Sequence, residues 1–386
     1  MRILIAGGGT GGHVFPGLAL AEEVVTRHPG NDAVFVGTAR GLEAQVVPAA
    51  GFPIELIEVR GLKGKGWLPG LKNLLLLPRA FLQSLRILRR WRPDVVVGVG
   101  GYASGPLVLA AWMLRIPTAV QEQNAVAGLT NRLLGFVVDA AFTAFPEAAA
   151  SFPKGKALQL GNPIRRQLLE NFMRPSGGEG VPGLLVFGGS QGAHALNMRV
   201  IETLPHLADL RGHLRIVHQT GGRDREAVAR GYQAVGFEAE VREFIEDMAS
   251  AYAAADLVVC RAGATTLAEL TVCRKPSILV PFAAAADNHQ VINATSLLNA
   301  GAAVMIEERD LTGELLASEI RAILANPERR EAMARAAGRL GSPAAASEIA
   351  DSCAGLSARR WGSRFGQDRG PDFKPVRPGA PSARTP

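Results

Sequence analysis

The chain has 386 residues, 47% of them apolar and 20% charged, with a formal net charge of +7. At about 150 residues per domain this is material for two or three packed cores, and it excludes a chain disordered throughout. The three cysteines, Cys260, Cys273 and Cys353, have no CxxC spacing, which argues against a disulfide framework or a cysteine zinc site and for a reducing compartment.

In chain order, Arg2–Ala6 reads as a buried strand, too short for a signal-peptide core. A glycine loop follows, and then a helix from about Phe15 to Arg27. Ala33–Gly37, Asp94–Gly98, Thr118–Gln121 and Ala140–Thr143 read as further strands with helices between them. Continuous apolar strands alternating with helices predict an α/β fold with a doubly wound parallel sheet. Met173–Gly180 has the composition of a linker. The alternation then restarts, with strands at Leu184–Phe187, Leu214–His218, Glu238–Arg242, Asp256–Val259 and Ser277–Val280. The expected organisation is a first domain over 1–172, a linker over 173–182, a second domain over 183–354 and a disordered basic tail over 355–386. From Arg359 onward the tail carries seven basic residues against two acidic ones. No apolar run approaches the roughly 18 residues of a membrane span, so a cytosolic protein able to sit on a membrane surface is expected.

An internal repeat supports two similar halves. Gly7-Gly8-Gly9-Thr10-Gly11-Gly12-His13 follows the first strand, and Gly188-Gly189-Ser190-Gln191-Gly192-Ala193-His194 follows the strand that opens the second half. The first loop fits G-x-G-x-x-G, yet the second strand ends Val36-Gly37-Thr38 without the acidic residue that a dinucleotide ribose needs. A nicotinamide-dependent oxidoreductase therefore loses ground, leaving a helix start suited to phosphate or sugar. Ser190 and Gln191 could bond a diphosphate and a sugar, or Ser190 could simply cap a helix. Cys260–Glu269 follows another strand. Gly263 allows close approach there, and the start of a helix at Ala264, Thr265 and Thr266 favours a diphosphate. Glu269 could accept from ribose hydroxyls or merely complement the helix dipole. Gly100–Pro106, Gln121–Asn124, Gly161–Arg165 and Asp287–Gln290 bring more polar groups to the same strand ends. Arg165 could meet a phosphate or a uracil. His13 titrates near neutrality and could serve as a general base or brace its loop; Glu122 is the fallback base. No D-x-D or H-E-x-x-H suggests a catalytic metal.

Val59–Pro93 contains no acid and nine bases, among them Arg86, Arg89 and Arg90, interleaved with Trp67, Phe81, Trp91 and several leucines. Such a stretch suits an anionic membrane surface. It comes with no nucleic-acid-binding motif, so no nucleic-acid partner is expected. A membrane-binding scaffold without catalysis is the rival reading.

The stretches Gly8–Gly17, Gly100–Gly105, Glu122-Gln123-Asn124, Gly161-Asn162-Pro163, Gly188–Gly192, Arg261–Glu269 and Asp287–Gln290, in this order over residues 1 to about 345, resemble the MurG family of glycosyltransferase family 28. The resemblance implies a GT-B fold, two Rossmann-like domains facing a cleft. It further implies an inverting hexosyltransferase, without metal or cofactor, that moves N-acetylglucosamine from UDP-N-acetylglucosamine to lipid I in peptidoglycan synthesis. Such an enzyme would work peripherally on the cytoplasmic face of the inner membrane. By the same resemblance, donor positions fall on Thr10, Gly11, Gly12, Asn124 and Arg165 in the first domain. In the second they fall on Ser190, Ile245, Arg261, Ala264, Thr265, Thr266, Leu267, Ala268, Glu269 and Gln290, with Gln191 near the sugar. Gln121, where many relatives have His, and Ala262, where some have Ser, depart from the pattern. Other GT-B enzymes, such as a diacylglycerol glucosyltransferase or a UDP-sugar epimerase, are the alternatives.

Overall fold

A computed structural model describes residues 1–59, 77–172, 180–283, 285 and 288–364. The first half contains β1 (Arg2–Gly7), α1 (Gly11–Arg27), β2 (Asp32–Gly37), α2 (Glu43–Ala49) and β3 (Ile54–Leu56). It continues with α3 (Leu77–Trp91), β4 (Val95–Gly100), α4 (Ser104–Met113), β5 (Thr118–Glu122), α5 (Leu129–Leu134), β6 (Ala140–Thr143), β7 (Ala157–Gln159) and α6 (Arg166–Phe172). Its strands form one parallel sheet in the order β3-β2-β1-β4-β5-β6-β7.

The second half begins with β8 (Gly183–Phe187), α7 (His194–Thr203), β9 (Arg215–Gln219), α8 (Arg225–Ala234), β10 (Ala239–Arg242), α9 (Met248–Ala254) and β11 (Leu257–Cys260). It ends with α10 (Ala264–Val272), β12 (Ser277–Leu279), α11 (His289–Asn299), β13 (Ala303–Met305), α12 (Gly313–Leu324), α13 (Pro327–Leu340) and α14 (Ala345–Arg364). The second sheet is also parallel, ordered β10-β9-β8-β11-β12-β13.

Why these segments become strands is visible in β1 and β4, whose Ile, Leu and Val side chains are buried on both faces. Each sheet thus has two cores, one per face, as helix-covered parallel sheets require. Strand order reverses between β1 and β4, and again between β8 and β11. Ligands of such sheets bind beyond the strand ends at these reversals. The loops at residues 8–10, 101–103, 188–193 and 261–263 leave from those four strands.

Two features differ from the expected layout. The short strands β3, β7 and β13 were not anticipated; each has three residues, too few to show a pattern. The last helix runs to Arg364, nine residues past the expected start of the tail, and it belongs to the first sheet's core. Ile349, Ala350 and Cys353 are buried there beside Ile3, Leu20 and Val97. Arg27 Nη2 donates to the Ser347 carbonyl at 2.7 Å. The spacing 349, 350, 353, 356 marks one helical face. The expected linker up to Pro182 falls largely on residues 173–179, outside the described residues.

Candidate active site

The loop after β1 leads into α1. Its N-cap is Thr10, whose side chain makes no cap bond, so the N–H groups of Gly11 and Gly12 are left without a side-chain cap. The loop departs from a bare phosphate cradle in one respect: a carboxylate occupies it. Glu43, from the start of α2, accepts from Gly9 N at 2.7 Å and from Thr38 N and Oγ1 at 2.9 Å each. His13 is the third residue of α1, with Nδ1 3.2 Å from the Gly8 carbonyl oxygen. A carbonyl only accepts, so Nδ1 carries the hydrogen and Nε2 the lone pair. Gly100, at φ +98°, lies against the ring, where a Cβ would stand 2.7 Å from Cδ2. Loss of hydration lowers the His13 pKa below its ordinary 6.5, against the opposing charge of Glu122.

Glu122 ends β5 with its carboxylate buried. One oxygen accepts from Asn124 N at 3.0 Å and Nδ2 at 3.3 Å, the other from Gly128 N at 3.0 Å and Asn131 Nδ2 at 2.9 Å. Four donors on two oxygens fill the carboxylate's capacity and fix the Asn124–Gly128 turn. Asn124 in turn meets the second domain: Asn293 of α11 donates to Asn124 Oδ1 at 3.2 Å and accepts from Ala125 N at 2.8 Å.

Opposite lies the start of α10. Gly263 is its N-cap and supplies no side-chain bond, so the amides of Ala264, Thr265 and Thr266 begin the helix uncapped. Thr265 Oγ1 donates to the Gly12 carbonyl at 3.3 Å, which joins the starts of α1 and α10. Leu267 and Ala264 are buried, Ala268 partly so. Glu269 is half-buried and accepts from Tyr252 Oη at 3.0 Å. Desolvation raises its pKa, and the charge of Arg165 pulls the other way. The Arg165 guanidinium lies 5.0 Å from the centre of the Phe15 ring, and its Nε is buried with no hydrogen-bond partner.

Ser190 and Gln191 are exposed on the loop after β8. Neither caps α7, whose N-cap is Ala193. Gly188–Gly192 fits the G-x-S-x-G string of a nucleophile elbow, but Ser190 lacks a positive φ, and the helix starts only at His194. The elbow's strained strand-to-helix turn is therefore absent here. Gln219 holds this loop: its Nε2 donates to the Gly189 carbonyl at 3.0 Å, and its Oε1 accepts from Ile245 N at 2.8 Å. Arg261 is buried and occupied by the protein. It donates to the carbonyls of Val280 and Pro281 at 3.2 Å and to Glu308 at 2.9 Å. Gln290 accepts from Phe282 N at 2.9 Å. Asp287 lies outside the described residues. Among the described residues no cluster of three His, Cys, Asp or Glu could hold a metal.

The structure thus brings Thr10, Gly11, Gly12 and His13 to the start of α10, with Asn124 on the Asn293 bridge; Arg261 and Gln290 brace the adjoining loop after β12. Sequence reasoning missed Glu43, Gln219 and Asn293. Glu43 had one usable signal, three glycines around it at positions 8, 37 and 41.

The sequence matches the glycosyltransferase family 28 N-terminal domain over residues 3–143 and the family 28 C-terminal domain over 183–351. It is 78% identical over 378 residues to the UDP-N-acetylglucosamine–N-acetylmuramyl-(pentapeptide) pyrophosphoryl-undecaprenol N-acetylglucosamine transferase of Anaeromyxobacter dehalogenans strain 2CP-C, covering 98% of this chain and 99% of that one. The enzyme of the same name from Myxococcus xanthus is 58% identical over 371 residues, 96% and 97% of the two chains. The crystal structure of Acinetobacter baumannii MurG superposes with a TM-score of 0.74 at 32% identity, covering 92% of this chain and 99% of that one. A UDP-N-acetylglucosamine 2-epimerase with a TM-score of 0.65 and 15% identity shares the fold alone. The chain belongs to glycosyltransferase family 28, and its two parallel-sheet domains have the GT-B arrangement.

Proposed function

We propose that the chain transfers N-acetylglucosamine from UDP-N-acetylglucosamine to the 4-hydroxyl of the N-acetylmuramyl unit of lipid I, forming lipid II with inversion. The observation that carries the chemistry is the meeting of the α1 and α10 starts at the Thr265–Gly12 bond, with His13 the next residue along α1. The relatives named above carry the substrate assignment.

Two helix starts without side-chain caps supply partial positive charge and free N–H groups. The diphosphate of the donor belongs at Ala264–Thr266, with Ser190 and Gln191 on the opposite loop and Arg165 as the nearby full charge. Glu269 accepts from the ribose hydroxyls. In the first loop the Glu43 carboxylate repels phosphate, so Thr10, Gly11 and Gly12 face uncharged sugar. In one displacement the acceptor 4-oxygen bonds to the anomeric carbon and the carbon–oxygen bond to the β-phosphate breaks. Its electron pair leaves with UDP, where preorganised dipoles stabilise the growing charge. The hydroxyl proton passes to His13 Nε2, whose lowered pKa keeps the ring neutral and ready to accept at neutral pH. Glu122, with all four acceptor sites used, orients the Asn124 turn rather than taking the proton.

The acceptor reaches the site from a membrane, and one surface suits that approach. Helix α3 packs on α4, and α4 on α5. This row exposes Leu82, Leu109, Trp112, Met113, Leu129 and Leu133, with Phe136 just beyond. Exposed large apolar side chains on helices that pack side by side suit a contact site. Arg86, Arg89 and Arg90 lie on α3; the bases from Arg60 to Lys72 lie outside the described residues. We place this surface on the anionic cytoplasmic leaflet of the inner membrane. None of the described helices is long and apolar enough to cross a bilayer.

The test is transfer of radiolabel from UDP-N-acetylglucosamine to a lipid I analogue, with diacylglycerol as the competing acceptor. Labelled lipid II from the first alone is expected; label on diacylglycerol, or UDP release with neither acceptor labelled, would sink the assignment.

A further inference from the structure

Glu43 has no place at the diphosphate site proposed at the start of α10, yet the residue is 1% exposed and aimed at the loop that carries His13. Space is cleared for it on three sides: a Cβ on Gly8, Gly37 or Gly41 would stand 2.0, 2.4 or 1.9 Å from its side chain. The Gly8–Gly9 peptide lies between the two side chains. Its N–H donates to Glu43 Oε2 at 2.7 Å, and its carbonyl oxygen is 3.2 Å from His13 Nδ1. Thr38 holds the other carboxylate oxygen through its N–H and hydroxyl.

A negative charge at the N–H end of a peptide polarises it and makes its oxygen a stronger acceptor. That gain is largest when the donor is an imidazolium. We propose that Glu43 is a positioning residue for His13, acting through the Gly8–Gly9 peptide: it fixes the Nδ1–H tautomer and stabilises the ring as Nε2 takes the acceptor's proton. One proton moves, from the 4-hydroxyl to Nε2; the Nδ1 proton stays on the ring and none crosses the peptide. A carboxylate beside a catalytic histidine does the same directly in Ser-His-Asp sites; here one peptide unit intervenes. The charged groups facing the ring are Glu122 and Glu43, which favour its protonation, and His289, which opposes it. The proposal rests on His13 as the base, and its test separates the two.

Nuclear magnetic resonance on the unmutated protein reads the coupling without any substitution. The Gly9 amide proton is expected to shift with pH at the same midpoint as the His13 ring. A Gly9 amide that stays flat while His13 titrates overturns the proposal. In Glu43→Gln the His13 midpoint should fall by about half a pH unit. kcat should fall about 10-fold, a part of the roughly 10²–10⁴-fold that a general base supplies, with UDP affinity unchanged. An unchanged His13 midpoint in folded Glu43→Gln also overturns it. In a His13→Ala background Glu43→Gln should cost nothing more; an additive loss counts against the relay. If His13→Ala itself keeps full turnover, the base assignment fails, while the two midpoints still decide whether Glu43 is coupled to the ring. Should Glu43→Gln not fold, the Gly9 amide decides alone.

Discussion

At the scale of single residues, the roles proposed for His13 and Glu269 both need the deprotonated form, and burial moves their pKa values in opposite directions. His13 must be neutral to accept a proton, and burial lowers its pKa. Turnover should therefore hold as pH falls through the usual histidine range near 6.5 and drop only below it. His13→Ala should lower kcat by roughly 10²–10⁴-fold while calorimetric UDP affinity stays at the unmutated value; equal losses in both would reject the base role. Glu269 must be ionised to accept from two hydroxyls, and burial raises its pKa. A carboxyl whose folded pKa exceeds its unfolded value binds more protons when folded, so its contribution to stability declines as pH rises through the interval between the two. Glu269→Gln removes that decline and keeps an acceptor for Tyr252 Oη. It should melt higher than the unmutated protein at neutral pH and converge with it in acid. UDP should bind at least about 10-fold more weakly, because bonds to a charged acceptor are worth about 1.5–3 kcal/mol each. Thermal melts across pH, paired with calorimetry, check both; unaltered UDP binding would remove Glu269 from the ribose.

At the scale of elements, the α3–α4–α5 face makes a prediction that the basic charges alone do not. Apolar transfer, at about 25 cal/mol per Å², adds to the roughly 1 kcal/mol that each base near an anionic surface contributes. Only the second term is screened by salt. Replacing Trp112 and Phe136 by Ser should weaken binding to anionic vesicles at high salt as well as low. Reversing Arg86, Arg89 and Arg90 to Glu should weaken it chiefly at low salt. Sedimentation with vesicles at two salt concentrations separates them, and retained binding in both variants would clear this face of the role. The basic stretch was legible in the sequence because charge and leucine lie side by side. Trp112, Leu133 and Phe136 were not, since each sits in an ordinary apolar run and only the packing of α4 and α5 turns it outward. Burial decided the strands in the same way. Central β1, β4 and β8 are unbroken apolar runs and read at once, whereas β3, β7 and β13 lie toward the sheet edges with three residues apiece.

At the scale of the whole molecule, the two halves were legible and their joint was not. A glycine loop repeated 181 positions on discloses a duplicated plan, because each half needs the same turn after its first strand. The joint depends on side chains such as Asn293 and Asn124, 169 residues apart, and no local pattern records such a pair. Asn293 is fully buried and satisfies the Ala125 N–H across the seam. In Asn293→Leu that donor is left buried and unpaired, at a cost of about 1–3 kcal/mol. The seam can recover this cost only by opening to water. Other ties remain, among them Thr265 to Gly12, Ser296 to Glu147 and α14 packed into the first sheet's core. The halves should therefore swing about α14 rather than separate. The radius of gyration by small-angle scattering should rise in the variant and fall back with saturating UDP-N-acetylglucosamine. KM for the donor should rise several-fold, because part of the binding energy now closes the seam. An unchanged radius together with an unchanged KM would show that Asn293 contributes only to the fold of its own helix.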